Sequence, residues 1–244
     1  GGGQRRAAFA GLVSRLRICY GGSFDPVHNG HLAVAKAARD VFAAEVLMLP
    51  AGDPPHKDTI HAEAEQRAAM LALALANVTD IALDRRELHR AGPSYTVDTL
   101  RELRDEWGPR TPIAWLIGAD SLLQLHTWHR WRELFDFAHI LCVQRPGSQL
   151  DAQRLRTAAP EVLAQINGRW LPPAALVEAA TGGFALLPLP QLRPESSSEL
   201  RRRIASGHEW QSWVPPPVAA YIVRQGLYGG DAAILPPSLS SDRP

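Results

Sequence analysis

Two histidines, His28 and His31, lie three residues apart with Gly30 between them. They end the run Cys19-Tyr20-Gly21-Gly22-Ser23-Phe24-Asp25-Pro26-Val27-His28-Asn29-Gly30-His31-Leu32. Side chains at that spacing share a face when both lie in a first helical turn. Two imidazoles on one face can hold one anion. A helix start adds unpaired N–H groups and the positive end of its dipole. Gly21, Gly22 and Gly30 let the backbone approach a ligand closely, because they carry no Cβ. The predicted chemistry is phosphate binding. The same pair is compatible with solvent-exposed turn histidines or with zinc. The glycine turn ahead of it, and the lack of an evident third ligand nearby, favour phosphate.

The elements that position these residues follow from periodicity. Leu16 to Tyr20 predicts a short buried strand, and Leu32 to Val41 predicts a helix. Further strands are expected over 45–50, 79–84, 113–117, 139–144 and 184–189. Helices are expected over 66–77, 95–107, 121–125, 131–137, 196–205 and 215–225. Ser196 reads as a helix cap, with Glu199 three residues on. Residues 148–183 hold helical patches without a readable layout. Strands that alternate with helices predict right-handed crossovers and a parallel sheet covered on both faces. The expected class is α/β, a Rossmann-like doubly wound parallel sheet with a small C-terminal helical part. In such sheets ligands bind at the carboxyl ends of the strands. One domain is expected over 15–228. Residues 1–14 and 229–244 are expected to be disordered.

Composition narrows the class. The 244 residues are 45% hydrophobic and 21% charged, enough for a sizeable core. A formal net charge of +1 gives no reason to expect nucleic acid or a membrane surface as partner. No signal peptide or membrane span is expected. Cys19 and Cys142 both sit in apolar, strand-like runs. They are expected to be buried reduced thiols of a cytoplasmic protein.

The run Gly22-Ser23-Phe24-Asp25-Pro26-x-His28-x-Gly30-His31 resembles the nucleotide signature of the adenylyl- and cytidylyltransferase superfamily. Class I aminoacyl-tRNA synthetases have a similar His-x-Gly-His. Six further motifs stand in the order found in bacterial nicotinate-nucleotide adenylyltransferases. They are Pro54-Pro55-His56-Lys57, Pro93-Ser94-Tyr95-Thr96, Ile117-Gly118-Ala119-Asp120-Ser121, Thr127-Trp128, Arg145-Pro146-Gly147 and Ser196-x-Ser198-x-x-Arg201. The resemblance covers roughly residues 16–228. That family usually has Thr at Ser23 and Ser198, Ile at Leu200 and an apolar residue at Glu195. Only Glu195 is a chemical change.

The resemblance implies transfer of AMP from ATP to nicotinate mononucleotide, with deamido-NAD and pyrophosphate as products. It implies His28, His31 and Arg201 as the catalytic groups. ATP would be held by Gly21, Gly22, Ser23, Phe24, His28, Gly30, His31, Gly118, Asp120, Arg145, Ser196, Ser198 and Arg201. The mononucleotide would be held by Gly22, Ser23, His56, Lys57, Ser94, Tyr95, Thr96 and Trp128. Its ring would stack near Trp128, with the carboxylate on backbone N–H groups of the 94–96 and 127–128 loops. Mg²⁺ is implied on the ATP phosphates, with no protein metal site. A phosphate monoester is largely dianionic at neutral pH, so the nucleophile needs no general base. Positioning and charge neutralisation, by cations and N–H donors, are left to the protein. The rivals are a sibling acting on pantetheine phosphate, a non-catalytic ATP-binding module and a zinc-dependent hydrolase.

Overall fold

Strand β1 (Arg17–Gly22) runs through the middle of a parallel sheet. The computed structural model describes residues 14–52, 61–146 and 150–229. Among them the sheet has six strands: β1, β2 (Glu45–Pro50), β3 (Ile81–Leu83), β4 (Ile113–Ile117), β5 (His139–Gln144) and β6 (Phe184–Pro188). Their order is β3-β2-β1-β4-β5-β6, and every pairing is parallel. Runs such as Ile113–Ile117, buried at all five positions, need cover on both faces. Neighbouring residues supply opposite cores: Ile18 belongs to one, Cys19 to the other.

The helices are α1 (Asn29–Phe42), α2 (Ala64–Leu75), α3 (Thr96–Trp107), α4 (Ala119–Leu123), α5 (Leu134–Phe137), α6 (Ala152–Ala158), α7 (Pro160–Asn167), α8 (Ser197–Ser206) and α9 (Pro216–Gln225). Leu32 and Ala35 of α1, Met70 and Leu71 of α2, Leu200 of α8 and Ile222 of α9 cover one face. Leu100 of α3, Phe135 of α5, Leu155 of α6 and Val162 of α7 cover the other. The expected doubly wound architecture is therefore present.

Strand order reverses direction between β1 and β4. Their carboxyl ends open the crevice where such folds bind ligands. Gly21 and Gly22 end β1, and Gly118 follows β4. Gly21 is required by contact: a Cβ there would stand 2.7 Å from Cζ2 of Trp115.

Three expectations need correction. Helix α1 starts at Asn29, three residues earlier than the apolar spacing indicates, because of the cap described below. Arg201, which the sequence around the Ser196 cap places in the first turn of its helix, is the fifth residue of α8 and lies beyond that turn. The stretch without a readable layout holds α6, α7 and a 3₁₀ turn over Pro173–Val177. Buried His139 ties that stretch to the sheet. Its Nδ1 accepts the Gly183 N–H at 2.8 Å, and its Nε2 donates to the Leu176 and Ala179 carbonyls at 3.0 and 2.8 Å. The tails expected to be disordered fall outside the described residues, apart from Ser14 and Gly229.

Candidate active site

The two signature histidines cap one helix by holding each other. The His31 N–H donates to His28 Nδ1 at 3.3 Å, and the His28 N–H donates to His31 Nδ1 at 3.2 Å. The rings stack with centroids 3.7 Å apart and planes 20° from parallel. The arrangement replaces the usual Ser/Thr and Glu of a capping box. An Nδ1 that accepts a hydrogen bond carries no proton, so each ring is neutral with its hydrogen on Nε2. Burial, and then the charge of Arg193, lowers His28 to about 4. Burial, and then His28, holds His31 well below its usual value. Both histidines are thus donors, not cations. Their mutual bonds leave the Asn29 and Gly30 N–H groups of the first turn for a ligand. Phe24, at φ 49°, sets its ring edge-on to His31 at 5.0 Å and to Tyr20 at 5.5 Å.

The loop that leads to this cap is tied down from several directions. Asp25 is 1% exposed. Its carboxylate accepts the His61 N–H at 2.7 Å, the Ala62 N–H at 3.1 Å and the Tyr228 hydroxyl at 2.7 Å. Burial, and then the Asp25 charge, pushes the Tyr228 phenol up, which keeps it a donor. Arg67, fully buried, donates to the Ser23 carbonyl at 2.7 Å and the Ala62 carbonyl at 3.2 Å. Arg201 Nη1 donates to the Asp25 carbonyl at 2.7 Å, and Ser197 Oγ donates to the Pro26 carbonyl at 3.0 Å.

Two adjoining cavities open at the switch point. The first, of about 510 Å³, runs from His28, Gly30 and His31 past Gly118 and Asp120 to Arg145. The second, of about 470 Å³, runs from Gly21, Gly22, Ser23 and Phe24 to Ser94, Thr96 and Trp128. Tyr20, His31, Gly118 and Ser121 line both. His31 is therefore part of the wall of both cavities.

The expected ATP residues divide between the two spaces. His28, Gly30, His31, Gly118, Asp120 and Arg145 line the first, whereas Gly21, Gly22, Ser23 and Phe24 line the second. Arg201, Ser196 and Ser198 line neither. Ser197 and Arg201 are four residues apart, so they share the α8 face that meets the 25–26 turn. Ser196 instead caps α8, its hydroxyl accepting the Glu199 N–H at 3.2 Å, and Ser198 is exposed. Of the expected acceptor residues, Gly22, Ser23, Ser94, Thr96 and Trp128 line the second cavity. Tyr95 does not: its ring stacks on His129, centroids 4.2 Å apart. His56 and Lys57 lie outside the described residues.

Sequence reasoning missed several lining residues. Glu87, 7% exposed, lines the second cavity. Its Oε1 accepts the Ser94 hydroxyl at 2.9 Å, and that hydroxyl accepts from Arg90 Nη1 at 2.7 Å. Burial raises the Glu87 pKa. Arg154 and Arg193 line the first cavity. No spacing marks these residues, since each reaches the site from a segment without a motif. Helix α3 starts at Thr96, and its cap residue Tyr95 makes no side-chain capping bond. Its first N–H groups stay available beside Ser94 and Thr96. Among the described residues, no group of three or more His, Cys, Asp or Glu is placed to hold a metal ion, and none of the helices is long and apolar enough to cross a membrane.

Known proteins resemble this chain along most of its length. The cytidylyltransferase-like family model matches residues 19–203. A relative from Stenotrophomonas maltophilia, described as a probable nicotinate-nucleotide adenylyltransferase, is 50% identical over 218 residues, 87% of this chain and 96% of that protein. A relative of the same description from Serratia proteamaculans is 41% identical over 215 residues, 87% of this chain and 95% of its own. The fold is similar to the solved nicotinic acid mononucleotide adenylyltransferase of Plasmodium falciparum complexed with NaAD. The TM-score is 0.68 at 19% identity, over 89% of this chain and 99% of that one.

Proposed function

The chain belongs to the nicotinate-nucleotide adenylyltransferases of the cytidylyltransferase-like family, and from that membership we propose how its residues divide the work. The protein transfers the adenylyl group of ATP to nicotinate mononucleotide, giving deamido-NAD and pyrophosphate, a step of NAD biosynthesis. The observation that carries our assignment of roles is the pair of cavities that meet at His31. The first takes ATP and the second takes the mononucleotide. The α-phosphate of ATP then lies at their junction, within reach of the acceptor phosphate.

An acceptor phosphate oxygen attacks the α-phosphorus, and the bond from that phosphorus to the oxygen bridging to the β-phosphate breaks. No proton need be removed first. His28 and His31 donate from Nε2 to the triphosphate, and the Asn29 and Gly30 N–H groups add to them. Such prealigned neutral donors need no reorganisation as charge moves towards the pyrophosphate. Arg201 holds the 25–26 turn through the Asp25 carbonyl and so acts on the histidines from behind. Asp120 suits ribose hydroxyls and Arg145 the rim of the nucleotide cavity. Ser94, Thr96 and the start of α3 receive the nicotinate carboxylate, and Trp128 receives its ring. Tyr95 supports that wall through its stack on His129, and His56 and Lys57 belong to the acceptor-phosphate side by family resemblance.

Mg²⁺ belongs with the ATP phosphates. The carboxylates lining the first cavity suit no protein cage: Asp151 caps α6 and Glu195 pairs with Arg193, which leaves Asp120. The ion would screen the triphosphate. We assign residues 15–228 to one nucleotidyltransferase domain. Both cysteines are buried, and burial pushes the Cys142 thiol up to about 12. Inert thiols fit a cytoplasmic protein.

The test is pyrophosphate release from saturating ATP with a panel of phosphate acceptors. Nicotinate mononucleotide should exceed nicotinamide mononucleotide by roughly 10²–10⁴ in kcat/KM, because an amide leaves carboxylate-binding donors unpaired. A ratio within about threefold of unity would remove the carboxylate-reading role from the 94–96 loop.

A further inference from the structure

Arg193 and Glu195 precede α8 and line the nucleotide cavity. Arg193 Nη2 donates to Glu195 Oε1 at 2.6 Å and its Nε donates to Oε2 at 3.2 Å. The Glu195 side chain is 6% exposed, against 32% for Arg193. The carboxylate therefore anchors and the guanidinium reaches outward. Glu195 Cβ stands 3.5 Å from the position of a Cβ on Gly30, and the Arg193 charge acts on His28. The pair thus lies beside the histidine cap, where the resemblance led us to expect an apolar residue at 195. An arginine has five N–H donors, and this pairing uses two of them. Nη1 bonds nothing among the described residues.

We propose that Arg193 is a phosphate-binding residue of this site, aimed by Glu195 at the β- and γ-phosphates that leave as pyrophosphate. The inference rests on the adenylyl-transfer reading. It gives the cavity a guanidinium donor, because both histidines are neutral and Arg201 lines neither cavity. Arg145 and Arg154 also line this cavity but are exposed. Arg193 is held in one direction by a buried carboxylate, so little side-chain entropy is lost when it meets phosphate. Glu195 is a positioning residue that keeps its bonds and leaves Nη1 of the rigid fork as the donor for the nucleotide.

Affinities for a non-hydrolysable ATP analogue and for AMP separate this role from a structural one. Arg193→Met should weaken the analogue about tenfold and AMP by less than about twofold. Glu195→Gln should weaken the analogue about threefold, again with AMP nearly unmoved. Parallel weakening of both ligands would show that the pair merely braces residues 193–196, and unchanged affinity for both would equally overturn the proposal. If Arg193→Met does not fold, Arg193→Lys keeps the charge and loses the fork; it should still weaken the analogue about threefold, and wild-type affinity in it would refute the proposal. Absence of deamido-NAD formation by the unaltered enzyme would refute the underlying reading. Normal turnover with an unshifted analogue-to-AMP ratio in the variants would refute this inference alone.

Discussion

Replacing His28 with Asn removes a titrating ring but keeps a capping acceptor. Asn is among the preferred cap residues, so its side-chain oxygen can take the His31 N–H. The backbone N–H at position 28 still donates to His31 Nδ1. In the folded protein His28 titrates at about 4 rather than 6.5, with burial the larger cause and the Arg193 charge the smaller. As pH falls, the unfolded chain takes up this proton before the folded one does. The contribution is fully present above 6.5 and is lost as pH falls towards 4. From pH 7.5 to 5 the unfolded chain gains about 1.5 units of protonation drive, or about 2 kcal/mol for this group. His31 and His139 are lowered by burial too and weaken both proteins in acid. The difference between wild type and variant reports His28, together with the smaller part of the His31 shift that His28 causes. Urea unfolding at the two pH values measures it. The variant should lose about 2 kcal/mol less than wild type between pH 7.5 and 5. Equal losses would mean that position 28 titrates alike in folded and unfolded chains, and the reciprocal cap would be wrong.

His31→Ala should lower kcat by roughly 10²–10³, the cost of one prealigned donor, with a much smaller change in acceptor binding. Near-wild-type turnover in a folded variant would take Nε2 of His31 out of the mechanism. Gly21→Ala puts a Cβ 2.7 Å from the Trp115 ring, which is 3% exposed and has little room to yield. It should cost about 1–3 kcal/mol in stability and raise KM for the mononucleotide more than for ATP. Thermal melts and the two KM values check it, and an unchanged KM for the mononucleotide would detach Trp115 from the acceptor cavity.

Strands β2, β4 and β5 were legible to the residue, because short runs with apolar middles bounded by turn residues leave little choice of limits. The start of α1 was not legible, since histidine is no usual cap and the cap exists only through two side chains acting on each other's backbones. Residues 148–183 resisted reading because α6 and α7 are short and abut at Pro160, and a 3₁₀ turn follows them. At the cavities, contiguous motifs such as those holding Gly21 to Phe24, His28 to His31, and Ser94 with Thr96 were legible as lining residues. Glu87 and Arg193 were not, because their places in the cavity walls depend on burial and on partners that local spacing does not encode. Arg201 was found as a motif, but its bond to the Asp25 carbonyl belongs to the packing of α8 against a distant loop. Ser198 is exposed, and the helical turn presents Ser197 to that loop.

The hydroxyl of Tyr228 reaches an acceptor made 203 residues earlier in the chain. During synthesis at about 5–20 residues per second, Asp25 therefore waits roughly 10–40 s for this partner. Until then its buried carboxylate lacks one of the donors that fix the loop before the histidine cap. The segment that opens the histidine signature is thus completed only after a much later part of the chain has been made. A nascent chain halted before residue 228 would lack a finished phosphate site, so ATP-analogue binding by stalled chains should switch on only when the Leu227–Gly229 turn has left the ribosome.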